Sequence, residues 1–173
     1  STARRVADAT VSGIKASYLD YWIAFRDAFV AAGEREKCWQ PKPRQYFFFP
    51  GGRSGFRIRL SLHRDKRQIR VDLYLRQKGD PRKQAFHQLL EQRADIERAI
   101  GAALVWDELP DKQASRIYLA KENVDPLDQQ QWPEQHAWLI EQVGKFRKVF
   151  RPRVKSLRLD VVDADDAADD DAE

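Results

Sequence analysis

Two adjacent stretches of the chain alternate strictly between apolar and polar residues. They are Phe56-Arg57-Ile58-Arg59-Leu60-Ser61-Leu62 and Ile69-Arg70-Val71-Asp72-Leu73-Tyr74-Leu75-Arg76. Successive side chains of a strand point to opposite faces, so a period of two predicts a pair of strands. One face carries Phe56, Ile58, Leu60, Leu62, Ile69, Val71, Leu73 and Leu75, and the other carries Arg57, Arg59, Ser61, Arg70, Asp72, Tyr74 and Arg76. The connection His63-Arg64-Asp65-Lys66-Arg67-Gln68 is basic as well. The expectation is a hairpin with an apolar underside and an arginine-rich top that faces solvent.

Elsewhere the period changes. Ile14, Tyr18, Tyr21, Trp22, Phe25 and Phe29 recur at spacings of three and four, which predicts a helix, with Gly33 as its stop. Gln45 to Phe49 is an aromatic strand, and Pro50-Gly51-Gly52-Arg53-Ser54-Gly55 is a turn cluster. Asp80 and Pro81 open a second helix, as N-cap and first helical residue, with Phe86, Leu89, Leu90, Ile96 and Ile100 along its apolar side. Leu104–Leu109 and Ser115–Leu119 read as two further strands around the turn Pro110 to Gln113. Pro133 starts a third helix, which presents Trp138, Leu139, Val143, Phe146 and Phe150 and is ended by Arg151-Pro152. Strands joined by short turns run antiparallel. The predicted fold class is α+β: a two-layer sandwich of about five mostly antiparallel strands and three helices, in the order α-β-β-β-α-β-β-α. Residues 1–13 are expected to be a flexible lead-in, 14–158 a single domain, and 159–173 a disordered acidic tail.

Composition sharpens this picture in three ways. A chain of 173 residues is enough to bury a real core, and no apolar run approaches the ~20 residues that span a bilayer. The single Cys38 excludes an internal disulfide framework and suits a reducing, cytoplasmic setting. The net charge of +4 conceals a segregation, because Asp160 to Glu173 hold eight acids and no bases. Without them 31 basic residues face 19 acidic ones, a balance of +12. A strongly basic body favours a polyanionic partner, of which nucleic acid is the commonest.

Several local sequences together carry a family resemblance. They are Tyr21-Trp22 with Phe25, Gly52-Arg53-Ser54-Gly55-Phe56, Arg70-Val71-Asp72-Leu73-Tyr74, Ile96-Glu97, Leu104 with Trp106, Ala114-Ser115-Arg116-Ile117, Trp132 to Trp138, and Phe150-Arg151-Pro152-Arg153. Over roughly residues 18–155 the chain resembles the bacterial family known as domain of unknown function 4268. Members often follow an N-terminal domain that looks like a restriction-type nuclease. The resemblance therefore implies a role beside a nuclease, and it implies that this chain is a piece of a longer protein.

A metal-dependent nuclease needs clustered carboxylates and a nearby lysine. Asp72 lies on a suitable strand, but no Glu-x-Lys follows on the next strands; Asp107-Glu108 precede Lys112 only across a turn. In the inferred register Asp72 faces Arg59, so a cross-strand ion pair is the simpler role. One Cys and three scattered histidines, His63, His87 and His136, offer no zinc spacing; each His is expected to be an ordinary surface or helix residue. The glycine-rich turn lacks the lysine and helix of a Walker loop, although Arg53 and Ser54 could contact a phosphate. Glu97 and Arg116 are expected to pair, with Trp106 in the core.

No catalytic residue, metal or cofactor is assigned. The reading is an accessory nucleic-acid-binding domain, for DNA or RNA, of a nuclease-like protein. Arg53, Arg57, Arg64, Lys66, Arg67, Arg70, Tyr74 and Arg76 would grip phosphates and stack on bases. A second basic cluster comprises Lys145, Lys148, Arg151 and Arg153. Two alternatives remain: a protein–protein module that uses the basic face, and an enzyme of unknown class that uses Arg53, Asp72, Glu97 or Arg116.

Overall fold

The computed structural model describes residues 1–80 and 83–160. Pro81 and nearly all of the acidic C-terminal run fall outside the described residues. Five strands form one antiparallel sheet in the order β1-β2-β3-β5-β4. They are β1 (Tyr46–Pro50), β2 (Phe56–His63), β3 (Gln68–Arg76), β4 (Val105–Asp107) and β5 (Ala114–Glu122). The hairpin strands thus fall where the period of two puts them. Strand β4 pairs antiparallel with β5, placing Asp107 opposite Arg116.

Among the described residues, four α-helices accompany the sheet where three were expected. Helix α1 runs from Thr2 to Ala31, not from Ile14, and Ser1 Oγ accepts the amide of Arg4 at its start. The segment read as a flexible lead-in is therefore helical and exposed. The second expected helix is two, α2 (Gln84–Glu91) and α3 (Arg93–Ile100), broken at Gln92, whose φ of −97° and ψ of 12° leave the helical region. Asp80 does not cap α2; Lys83 holds that position with φ of 50°. Helix α4 (Trp132–Lys155) continues past Pro152. A proline so near a C-terminus removes one intrahelical bond and leaves the final turn standing.

The chain forms two compact units. Among the described residues, the first comprises Ser1–Phe47, Leu60–Arg70 and Ala120–Ile140; the second comprises Phe48–Arg59, those of Val71–Leu119, and 141–160. In the first unit the apolar stripe of α1 supplies the fully buried Tyr21, Trp22, Phe25 and Phe29. Trp22 packs tilted and Phe25 edge-on against Phe47 of β1, each with ring centroids 5.4 Å apart. Trp22 Nε1 donates to the carbonyl of Arg44 (2.7 Å), and Tyr21 donates its hydroxyl to Gln135 of α4 (2.9 Å). Each large side chain buried in this way contributes roughly 1.5–3 kcal/mol. In the second unit Phe56, Ile58, Val71, Leu73 and Ile117 bury the apolar strand face, and Phe86, Leu89, Ile96, Phe146 and Phe150 are buried from the helices. A reciprocal pair of hydrogen bonds between the Gln88 amide and the backbone of Arg158 ties α2 to the chain after α4.

Candidate functional site

The arginine-rich side of the hairpin does not face solvent. Arg57, Arg59 and Arg70 are only 4%, 5% and 4% exposed, and Asp72 and Tyr74 are buried with them. Each guanidinium has a local partner. Arg57 lies over the Phe48 ring, 5.0 Å from its centroid. Arg59 grips Asp72 through Nε and Nη2 (3.0–3.2 Å) and lies 4.4 Å above the Tyr74 ring. Arg70 Nε donates to Gln68 (3.0 Å), and Arg76, half-buried, reaches Gln113 (3.4 Å). Arg116 on β5 repeats the motif, with Asp107 at 3.0 Å and the Tyr118 ring at 5.6 Å. Arginine is weakly hydrated, planar and long enough to cover its neighbours, so such a face can shed water without losing its hydrogen bonds. The expectation that this face is open to solvent is corrected accordingly: Arg57, Arg59, Arg70, Asp72 and Tyr74 are buried, with contacts to one another, to Gln68 and to the Phe48 ring.

Other expected contacts are redistributed too. Arg53 Nη1 donates to the carbonyl of Leu157 (3.0 Å), and Arg151 Nε donates to that of Pro50 (3.0 Å). The glycine-rich turn is shaped by close approach: a Cβ on Gly51 would lie 2.4 Å from the Phe56 carbonyl carbon, and one on Gly55 (φ of 86°) 2.7 Å from the Arg76 oxygen. Glu97 does not pair with Arg116. It accepts the Leu104 amide (2.6 Å) and Arg93 (3.1 Å), and the backbone bond first, then Arg93, holds its carboxyl below the usual range. Trp106 is half-buried. In the second cluster, Lys145 pairs with Glu141 (3.5 Å), Arg153 Nη1 donates to the Val149 carbonyl (2.7 Å), and Lys148 is exposed. Lys83 turns its ammonium onto the carbonyls of Glu108, Leu109 and Ala114 (2.9 Å for the last), and desolvation lowers its pKa.

His136 departs furthest from the expectation of an ordinary surface or helix histidine. It is buried against Tyr21 (4.5 Å between centroids), Phe25 (5.9 Å) and Trp132 (6.0 Å). Burial pushes its pKa down to about 4, although a hydrogen bond to the Tyr21 backbone opposes the shift.

The exposed cations Arg64, Lys66 and Arg67 sit at the hairpin tip, where a 3₁₀ turn at Arg64–Lys66 ends in left-handed Arg67 (φ of 52°). In the first unit this tip meets the first half of α1 around an open cavity of about 400 Å³. Val11, Ile14, Tyr18 and Leu62 give it apolar walls, while Lys15, Arg64 and Lys66 stand among its polar lining. Burial raises the pKa of the Tyr18 hydroxyl, against a lowering from Arg64 beside it. The groove was missed in the sequence, yet part of its signal is there. Ile14 and Val11 extend the stripe of Phe29, Phe25, Trp22 and Tyr18 toward the N-terminus, beyond the last buried residue.

The sequence profile of a family described only as a domain of unknown function, DUF4268, matches residues 17–154. The chain belongs to that family. Val11, Ile14 and Lys15 precede the span that defines this DUF4268 domain. No curated protein matches the chain. Among solved structures, the DUF4268 chain is similar to YbjN, a proposed transcription regulator from E. coli, at 14% identity over 80% of this chain and 95% of that one, with a TM-score of 0.45. It is also similar to a chain of the HopA1–SchA chaperone–effector complex, at 13% identity over 76% of this chain and 94% of that one, with a TM-score of 0.38. Among the described residues, no helix is long and apolar enough to cross a membrane.

Proposed function

We propose that the chain is a protein-docking module, and that a polypeptide segment of a partner lies in the groove between α1 and the hairpin tip. One observation carries this reading. The apolar stripe of α1 runs out of the core into an open cavity, leaving Val11 51% exposed. An apolar wall attracts side chains and gives nothing to a phosphate backbone, whereas the arginine face that would have served nucleic acid is buried. A reducing cytoplasmic setting belongs to the same reading.

The test is an NMR titration with amphipathic helical peptides of about 18 residues, some five helical turns, with an apolar stripe and an uncharged polar face. Shifts should concentrate at residues 11–18 and 62–66 and vanish in Val11→Asp/Ile14→Asp with folding intact. Peptides that leave those residues unmoved overturn the proposal.

A second reading retains nucleic acid, in a protein that also carries a nuclease-like domain. It is favoured by the exposed Arg64, Lys66, Arg67, Lys148, Lys155 and Arg158. Duplex binding that falls steeply with salt would support it.

A further inference from the structure

Granting the docking reading, we infer that the groove selects an acidic segment: an apolar-faced helix or strand whose flanking carboxylates meet Lys15, Arg64 and Lys66. Three cations and one acid, Asp65, line the cavity alongside His63. The acid does little to cancel them. Its contact with Arg64 is 3.8 Å long, and both side chains are exposed, at 44% and 87% for arginine and acid. At that distance and exposure the pair is weak, at most a few tenths of a kcal/mol, and one acid against three cations leaves the rim net positive. His63 is engaged locally, its Nε2 lying 2.8 Å from Ser61 Oγ. Arg67 adds a further exposed cation immediately beyond the rim.

The apolar and charged elements are also arranged in order. Val11, Ile14 and Tyr18 follow one line down α1, with Lys15 beside Ile14, while Arg64 and Lys66 approach from the hairpin tip. A bound segment would therefore place its apolar residues against α1, between cations on both sides. A basic or neutral segment would find the same apolar wall and either repulsion or nothing at the rim. The groove thus has what selectivity requires: an attraction for one sign of charge and a penalty for the other.

Three peptides with the same apolar stripe and Glu, Gln or Lys at the flanking positions separate the two claims. Polarisation titrations at about 50 mM salt should rank them Glu, Gln, Lys, with the Glu peptide about tenfold tighter than the Gln peptide, as expected for two or three exposed ion pairs. The gap should shrink to about twofold near 500 mM salt, where the Debye length is a few ångströms. It should also close in Lys15→Gln/Arg64→Gln/Lys66→Gln. Lys15→Glu/Lys66→Glu should invert the order, a gain that damage to the fold cannot produce. Equal binding of the Glu and Gln peptides overturns the acidic preference and leaves docking intact, as does a preference that survives in the triple variant. Failure of all three peptides to bind overturns the docking reading itself.

Discussion

Removing the titration of His136 should flatten the acid limb of the protein's stability curve. The imidazole is enclosed by Tyr21, Phe25 and Trp132, and its Nε2 has no hydrogen-bond partner among the described residues. A proton arriving there would bring a charge into a largely apolar, aromatic surround shielded from bulk solvent. The folded pKa is therefore about 4, against 6.5 for an ordinary histidine. Between those values the unfolded chain binds a proton that the folded chain does not. Stability is thus full above about pH 6.5, falls as pH drops through the window, and levels off below about pH 4. At about 1.4 kcal/mol per pKa unit, the limiting loss is about 3–4 kcal/mol. Roughly 1 kcal/mol of it is gone on moving from pH 7.5 to 5.5, and most of it by pH 4.5.

Urea unfolding followed by Trp fluorescence across that range measures the loss. His136→Asn keeps a donor near the Tyr21 carbonyl and cannot titrate. Its baseline stability will be lower, but its slope between pH 7.5 and 5.5 should be nearly flat. Carboxylates such as Glu97, held below their usual range, lose their contribution only at lower pH and do so in both proteins. If the parent and the variant lose stability in parallel, or the ring titrates near 6.5 by NMR, the argument from burial is wrong.

Asp72→Asn should cost about 3–5 kcal/mol in urea unfolding, because it strands the buried Arg59 guanidinium; a loss below about 1 kcal/mol would show that water or another group takes over the charge. Gly55→Ala should destabilise by more than about 1 kcal/mol, since a Cβ there meets the Arg76 carbonyl at positive φ, whereas Gly13→Ala in open space on α1 should raise thermal stability slightly. Any binding of duplex DNA should weaken, with a shallower salt dependence, in Arg64→Ala/Lys66→Ala/Arg67→Ala. By contrast, Arg57→Ala and Arg70→Ala should lower stability and leave that affinity unchanged, so a reversed pattern by polarisation would restore the hairpin face as the contact surface.

The hairpin shows what alternation can and cannot reveal. A period of two assigns Arg57, Arg59 and Arg70 to one face, but it cannot say what lies against that face. Their burial depends on Phe48, from a strand earlier in sequence, and on aromatic and acidic neighbours that appear only once β1 and β3 have paired with β2. The helix break at Gln92 was illegible for a related reason: Glu91-Gln92-Arg93 are all good helix formers, so tertiary packing overrides propensity there. Pro152 misled in the opposite direction, because a breaker near a C-terminus has little left to break. At the groove, spacing placed Ile14 and Tyr18 on one helix face but left Val11 in the lead-in, and the arrival of Arg64 and Lys66 opposite them is a product of the fold.

The paired arginine–aromatic face also bears on how the strands find their register. In an ordinary amphipathic hairpin, a slip of one residue merely wets some apolar groups and buries some neutral polar ones. Here a slip of β2 would drive Arg57 and Arg59 into the apolar layer while tearing them from the Phe48 ring and the Asp72 carboxylate. Both sides of the ribbon must therefore be correct at once. The wrong pairing is excluded by stranded charge as well as by lost apolar contact, and a chain that samples it has a strong incentive to let go and try again.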